Sequence, residues 1–406
     1  MKFSPQQDQA LLSVDRWMKG GRSQIFRLFG YAGTGKTTLA KHFAEHVNGG
    51  VLYGAYTGKA AYVLRKKGCH GASTIHSMIY NVREKSRELL VRYEHELCRL
   101  MSIESPSEQD LLDIGQLNSM IRAEKQNLLQ PAFTLNRDSA VRESSLVIID
   151  ECSMVNEEMG EDLLSFGTKI LVLGDPAQLP PVKGGGYFTG HDPDVMLTEV
   201  HRQARDNPIL DMATRVRNGE HLPYGSYGAS SVVPSYNPND ALSADQILVG
   251  MNVTRTGFNQ NIRQALGMEG DLPQEGDKLV CLRNSREAGL LNGGLWAVRS
   301  VNSVSQSQVG LTICDPDGGD VEVSSHPHHF LGRTDGLNEM PWWRRKTQEE
   351  FDYGYALTVH KSQGSQWDNV LLVDESSVFR DQKRSWLYTG ITRAAERITV
   401  VRRQGV

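Results

Sequence analysis

No uninterrupted apolar run in this sequence approaches the roughly 20 residues that a membrane-spanning helix needs, and the opening MKFSPQQDQ lacks a basic-then-apolar leader. A cytosolic protein with no membrane role is therefore expected. Cysteine is scarce. Cys69, Cys98, Cys152, Cys281 and Cys314 form no C-x-x-C pair, which argues against a disulfide framework or a zinc site. Buried or half-buried free thiols are the expectation. An excess of positive charge is also missing: 44 Lys and Arg stand against 48 Asp and Glu, for a net charge of -4 and a pI near 6.3. A simple duplex coater should be strongly basic. Mild acidity does not exclude nucleic acid, because cationic groups can be gathered in one channel. There is no internal repeat and no low-complexity tract. What remains is 406 residues, 39% hydrophobic and 23% charged, a globular composition long enough for two to four domains.

From Ser23 to Val182, short apolar runs (Ile25–Phe29, Val51–Ala55, Leu146–Ile149, Ile170–Leu173) each lead into a polar or Gly-rich loop. Buried strands alternating with helices predict a parallel α/β sheet, whose strand ends carry ligands. Arg83 to Gln130 differs, with Leu89, Leu90, Leu97, Leu100, Leu111 and Leu112 at helical spacing. Two helices are expected there, broken at Ser105–Ser107, followed by a short strand around Phe133. A second α/β pattern begins near Met196. It is interrupted from about Leu272 to Met340 by alternating segments punctuated by Gly, Asn and Asp, the texture of a small β-barrel. The expected plan has residues 1–80 and 143–192 as one α/β domain with an insertion at 81–142. Residues 193–270 and 346–406 form a second, with an insertion at 271–345.

Strand Ile25–Phe29 runs into Gly30-Tyr-Ala-Gly33-Thr34-Gly35-Lys36-Thr37-Thr38. This is G-x-x-x-x-G-K-T in the strand–loop–helix setting a P-loop requires. Its glycines let backbone N–H groups curl around phosphate, and the next helix aims its positive end at the same charge. Lys36 is expected on the β- and γ-phosphates and Thr37 on Mg²⁺. Leu146-Val-Ile-Ile-Asp150-Glu151 ends in two carboxylates, Asp150 to hold the metal and Glu151 to polarise the attacking water. Gln178, in a third strand-end loop, is a candidate γ-phosphate sensor, although a lone glutamine is more often a surface residue.

In this order the segments resemble the superfamily 1 helicases, specifically the RecD/Dda-like 5′-to-3′ branch. Phe3-Ser-Pro-Gln-Gln7 looks like the Q motif, Thr57-Gly-Lys59 like motif Ia, and Ser73-Thr74-Ile-His76 like the T-I-H element. Asp150-Glu-Cys-Ser-Met154 resembles motif II, and Gly174 to Pro181 motif III. Leu197-Thr-Glu-Val-His201-Arg202-Gln203 is similar to motif IV, Tyr355 to Gly364 to motif V, and Trp386 to Ala394 to motif VI. The resemblance implies two RecA-like domains, a wedge in the first insertion and an SH3-like second insertion, where Asn292-Gly293-Gly294 matches a family turn. It implies that Gln7 reads adenine and that Arg202 and Arg393 reach the γ-phosphate across the cleft. His201 stands where a tyrosine often stacks on the base, and Gln366 where a glutamate often bonds the ribose.

The resemblance also implies an ATP- and Mg²⁺-dependent, single-stranded-DNA-stimulated motor that unwinds duplexes at single-strand/duplex junctions. Thr57, Lys59, Thr74 and His76 on one domain and Asn252, Arg255, Thr358, His360 and Lys361 on the other are the candidate strand contacts. Phe133 either stacks at the junction or fills a local core. Trp342-Trp343-Arg344-Arg345-Lys346 either grips DNA or forms a core edge with a basic flank. A monomer in bacterial or phage-infected cytosol is expected, serving DNA replication, recombination or repair, with single-strand-binding or replication proteins as candidate partners. A translocase that displaces proteins without sustained unwinding, an RNA motor, and a non-hydrolysing binding module are the competing readings. Intact Lys36, Asp150, Glu151, Arg202 and Arg393 argue against the last.

Overall fold

The computed structural model describes residues 3–20, 22–83, 88–103, 107–128, 132–180, 186–199, 207–285, 287–315, 319–333, 336–337, 340 and 345–403. The first half runs α1 (Pro5–Gly20), β1 (Ile25–Gly30), α2 (Lys36–Ala44), β2 (Val51–Ala55), α3 (Gly58–Lys66), β3 (Ser73–Thr74) and α4 (Ile75–Ile79). It continues through β4 (Tyr80–Arg83), α5 (Glu88–Met101), α6 (Glu108–Leu128), β5 (Ala132–Leu135), β6 (Leu146–Asp150), α7 (Glu157–Leu164), β7 (Ile170–Gly174) and β8 (Val195–Leu197).

Six of these strands form a sheet of order β3-β2-β6-β7-β1-β8, parallel throughout. Its strands read as continuous apolar runs because both faces are covered. Leu146 and Ile148 pack with Trp17, Leu39 and Phe43 on one side. Val147 and Ile149 pack with Ile75, Ile79 and Met159 on the other. Burying each such aliphatic side chain contributes about 1.5–3 kcal/mol. Because β1, β7 and β6 are neighbours in one direction, the loops at their carboxyl ends converge. Hydroxyl caps start two of the helices: Thr57 accepts from the Ala60 amide at 3.1 Å and Thr74 from Ser77 at 3.1 Å.

The second half contains α8 (Pro208–Arg217), β9 (Gly225–Tyr227), β10 (Ser230–Val233), α9 (Pro238–Ser243), β11 (Gln246–Val249) and α10 (Asn252–Ala265). It then has β12 (Lys278–Cys281), β13 (Leu295–Val304), β14 (Val309–Cys314), β15 (Asp320–Ser325), β16 (Phe351–Tyr353), β17 (Ala356–Thr358), β18 (Trp367–Val373), α11 (Lys383–Ile391) and β19 (Ala394–Val401). A second sheet, β17-β11-β18-β19-β10-β9, is parallel except at its β9 edge. A separate sheet, β15-β14-β13-β12-β16, is antiparallel.

Three particulars differ from the sequence reading. The stretch near Met196 does not open the second sheet; β8 lies parallel to β1, pairing Leu28 with Val195 and Gly30 with Leu197. Three apolar residues carry no local mark of which sheet they will join. The antiparallel sheet extends past the 272–340 stretch, because β16 pairs with β12. Cys98 is exposed rather than buried; it lies on α5, a helix in which only Leu100 is buried. Helices α5 and α6 stand on either side of residues 104–106, which lie outside the described residues.

Candidate active site

The loop after β1 turns through two left-handed glycines, Gly33 at φ 77° and Gly35 at φ 80°, a conformation that opposes a side chain. Gln7 braces the loop from behind: its Nε2 donates to the Thr34 carbonyl at 3.0 Å, while its Oε1 accepts from the Ser4 amide at 3.0 Å. Lys36 Nζ folds over the start of the loop, donating to the carbonyls of Gly30 (2.6 Å) and Tyr31 (3.1 Å). Thr37 Oγ1 donates to Asp150 Oδ2 at 2.9 Å, and Asp150 Oδ1 accepts from the Glu151 amide at 2.9 Å. A hydroxyl and a carboxylate held together at a strand end are hard oxygen donors of the kind Mg²⁺ takes. Glu151 has a left-handed backbone at φ 53°, uncommon for a side-chain-bearing residue and concentrated at functional sites. Burial pushes its carboxyl pKa up, against the downward pull of Arg393 and Lys36.

These groups line a cavity of about 350 Å³ between the two parallel sheets. Gly33, Gly35, Lys36, Thr37, Thr38, Asp150, Glu151 and Gln178 come from the first half, and Gln366 and Arg393 from the second. Gln178 is buried, and among the described residues its Oε1 has no hydrogen-bond partner. An orphaned buried acceptor at a cavity wall is costly and marks a place for a donor. Arg393 is buried and held by the carbonyls of Thr389 (3.1 Å) and Ser365 (3.2 Å) and by Thr392 Oγ1 (3.2 Å). Gln7 and Thr34 sit behind the loop, and Gly30 lies at its start. A side chain at Gly30 would meet Thr34 Oγ1 at 2.6 Å. His201 and Arg202 lie outside the described residues. Gln6 pins the chain just ahead of them, accepting from the amides of Thr198 (2.9 Å) and Glu199 (3.0 Å).

Helix α3 is a wall shared by two spaces. Ala60, Val63, Leu64 and Lys67 border the nucleotide cavity. Lys59, Tyr62, Arg65 and Lys66 border a groove of about 480 Å³ against the antiparallel sheet, which Thr74 and Trp296 also line. Thr57 starts this helix and lies close to Gly364 of the second half, where a Cβ would come within 2.9 Å of the Ala60 Cβ.

His76 faces inward. Its ring lies 5.5 Å from Phe133, 5.6 Å from Tyr80 and 6.1 Å from Tyr56, and burial lowers its pKa. Phe133, on the antiparallel β4/β5 pair, rests on this cluster while remaining half exposed. Arg255 is paired with Asp352 at 2.7 Å and donates to Asn252 Oδ1 at 3.2 Å. Thr358 Oγ1 accepts from the Lys361 amide at 3.3 Å, and His360 packs 5.2 Å from Phe379. Burial lowers the pKa of both His360 and Lys361. The Trp342–Arg344 stretch lies outside the described residues. Arg345 forms an ion pair with Glu350.

A family model described as an AAA domain matches residues 3–234, more than half of the chain, and one described as a UvrD-like helicase C-terminal domain matches residues 353–401. The chain is 29% identical over 280 residues to the ATP-dependent RecD2 DNA helicase of Deinococcus radiodurans, a match covering 62% of this chain and 35% of that one. It is 24% identical over 286 residues to the RecBCD enzyme subunit RecD of Mycolicibacterium smegmatis, covering 63% and 50%. This protein belongs to the AAA-domain family, and its sequence is similar to the RecD helicases. The chain spans about a third to a half of the length of these curated relatives. The crystal structure of Bacteroides Pif1 bound to ssDNA shares its fold at a TM-score of 0.53 and 16% identity, covering 98% of this chain and 92% of that one.

Within this AAA-domain family member the structure reveals further residues that hold the site together. Gln6 anchors β8 through the Met196 carbonyl at 3.2 Å. Gln363 donates to the Leu179 carbonyl at 3.0 Å and Thr389 Oγ1 accepts from the Leu179 amide at 2.9 Å, so the motif III loop is held by the second half. Tyr388 bonds to both the P-loop and motif III. Tyr388 lies inside the motif VI block with Arg393, Gln363 inside the motif V block with Lys361, and Gln6 adjoins Gln7.

Proposed function

We propose that this chain is an ATP-driven motor that moves 5′ to 3′ along single-stranded DNA and separates the duplex ahead of it. The observation that carries this reading is the single cavity in which Lys36, Thr37, Asp150, Glu151 and Gln178 from one sheet face Arg393 from the other. In the proposed plan, residues 1–80 and 143–199 form RecA-like domain 1A, 81–142 the wedge insertion 1B, 200–270 and 354–406 domain 2A, and 271–353 the SH3-like 2B. Lys36 and the loop amides would hold the β- and γ-phosphates, and Gln7 would read adenine through the second hydrogen of its amide. Thr37 and Asp150 would hold Mg²⁺, which neutralises phosphate charge when bound. Glu151 would take a proton from the attacking water. Arg393 and Arg202 would neutralise the charge spreading over the γ-phosphate, a task suited to a permanent, forked cation. His201 and Gln366 would flank the base and ribose.

Because these groups come from two sheets, nucleotide state becomes cleft separation. Helix α3, Thr74, and the motif V loop at Thr358, His360 and Lys361 would carry that change to phosphate contacts that do not read sequence. Asn252 and Arg255 would join the track, with Arg255 exchanging Asp352 for a backbone phosphate. His76 would serve by holding Phe133 at the junction. Similarity to a DNA helicase and to a Pif1 bound to ssDNA supports DNA as the substrate. The test is strand displacement on duplexes with either a 5′ or a 3′ single-stranded tail. Displacement of the 5′-tailed substrate alone is expected; equal displacement of both, or only of the 3′-tailed one, overturns the polarity. Lys36→Ala should lower DNA-stimulated ATP turnover on the order of a thousandfold, and retained turnover would remove the site assignment.

A further inference from the structure

Tyr388 lies on α11, buried to 1% exposure in the core of the second half. Its hydroxyl nonetheless leaves that core and meets the first half at two points. It accepts from the Ala32 amide of the P-loop at 2.9 Å and donates to Asp175 Oδ2 at 2.7 Å. Asp175 in turn shapes the turn that carries Gln178. Its Oδ1 accepts from the Ala177 amide at 3.0 Å, and its carbonyl accepts from the Gln178 amide at 3.1 Å. One phenol therefore joins the first turn of the phosphate loop to the loop bearing the orphaned Gln178 Oε1. Burial and the Asp175 carboxylate both raise the phenol's pKa, so it remains a donor at any physiological pH. A second contact reinforces the junction: the Arg217 guanidinium, on α8, stacks 3.5 Å from the centroid of the Tyr31 ring. Adjacent P-loop residues are thus each gripped by a side chain of the second half.

We propose that Tyr388 is a positioning residue: its hydroxyl couples the first turn of the P-loop to the Asp175 turn and so sets where Gln178 points in the nucleotide cavity. This rests on the nucleotide-cleft reading above. Tyr388 does not line the cavity; it acts through Gln178. A ligand that draws the Ala32 amide toward phosphate takes the hydrogen bond from the phenol, and the phenol's tie to Asp175 then carries the change to Gln178.

The full chain is assayed for ATP turnover with and without saturating single-stranded oligothymidine. Tyr388→Phe keeps the ring in its core and removes only the hydroxyl. The DNA-stimulated kcat is expected to fall about tenfold with KM for ATP within about twofold, because misplacing a positioned group costs rate more than binding. The double variant Tyr388→Phe/Gln178→Ala should turn over at the Gln178→Ala rate, since the hydroxyl has nothing left to aim. Asp175→Asn tests the same bond from its other end without altering volume and should show the same split. Parental kcat in both Tyr388→Phe and Asp175→Asn, or a further loss of about tenfold in the double variant over Gln178→Ala, overturns the proposal. Thermal melting separates a folding defect from a coupling defect. Lys36→Ala run alongside keeps the two readings distinct. Retained turnover there defeats the cleft assignment, whereas its loss beside a parental Tyr388→Phe defeats only the coupling.

Discussion

In the nucleotide cleft, Thr34, Asp175, Gln178 and Arg393 are all less than a tenth exposed, and the side chains of Thr34, Asp175 and Arg393 are each bonded within or across the sheets. Along α5 and α6 the balance reverses: Val91, Leu111 and Leu112 are 60%, 57% and 60% exposed, while Leu100 and Ile121 are buried. The cleft is organised by polar groups that must each find a partner when water is excluded. The insertion is a helical pair with little core of its own, joined to the body through the antiparallel β4/β5 pair and its aromatic cluster. Small changes in the cleft should therefore be expensive, and changes on the insertion should be felt in strand separation rather than in hydrolysis.

The sharpest way to break this contrast is Glu151→Gln. With the proposed general base removed, turnover is expected to fall by a factor of about 10² to 10⁴ while nucleotide binding, read by fluorescent-analogue titration, persists. The same variant should be more stable than the parent at neutral pH. Burial raises the Glu151 carboxyl above its ordinary value of 4.5, so folding favours the protonated form. The stability this provides is complete below the unfolded pKa and is lost as pH rises through the folded one. Melting curves at acid and alkaline pH should show the gap between Glu151→Gln and the parent opening as pH rises. A variant less stable than the parent at alkaline pH would contradict the burial argument. Parental turnover over the same range should rise with pH, as the base ionises.

Phe133→Ala tests the other side of the comparison. Base–aromatic stacking is worth about 1–3 kcal/mol, so strand displacement should drop several-fold, with ATP turnover on single strands within about twofold of the parent. Equal loss of both activities would place Phe133 with His76 and Tyr80 as packing and not as the wedge. The smallest effect is expected from Glu94→Gln, which breaks the 3.0 Å pair with Lys125 between α5 and α6. Both side chains are about half exposed, and such surface pairs contribute about 0–1 kcal/mol. A melting shift beyond a few degrees would mean that this pair holds the helical insertion together.

Much of the cleft was legible in one dimension. Gly33, Gly35, Lys36 and Thr37 are close in sequence because a P-loop is one loop and one helix end, and Asp150-Glu151 follows an apolar run because it ends a buried strand. The alternation of buried strands with helices likewise declared a parallel sheet. Less legible were pieces whose local pattern fits more than one neighbour. β8 is three residues long and joined the first sheet, and β16 left the α/β texture for the antiparallel sheet. The candidate strand contacts were also partly opaque. Arg255 reads in sequence as a free cation, yet it is paired with Asp352, a residue nearly a hundred positions later (|i−j| = 97).

The sequence by itself determined the strand–loop–helix units and the glycine-rich loop proposed to hold phosphate, because each depends on residues within a turn or two of one another. Only the tertiary structure decided which side chains of the second half meet the first. The bond from Tyr388 to Asp175 joins positions 213 apart. No spacing rule spans that distance, because the approach is created by two sheets that share one cleft and not by any local period of the chain.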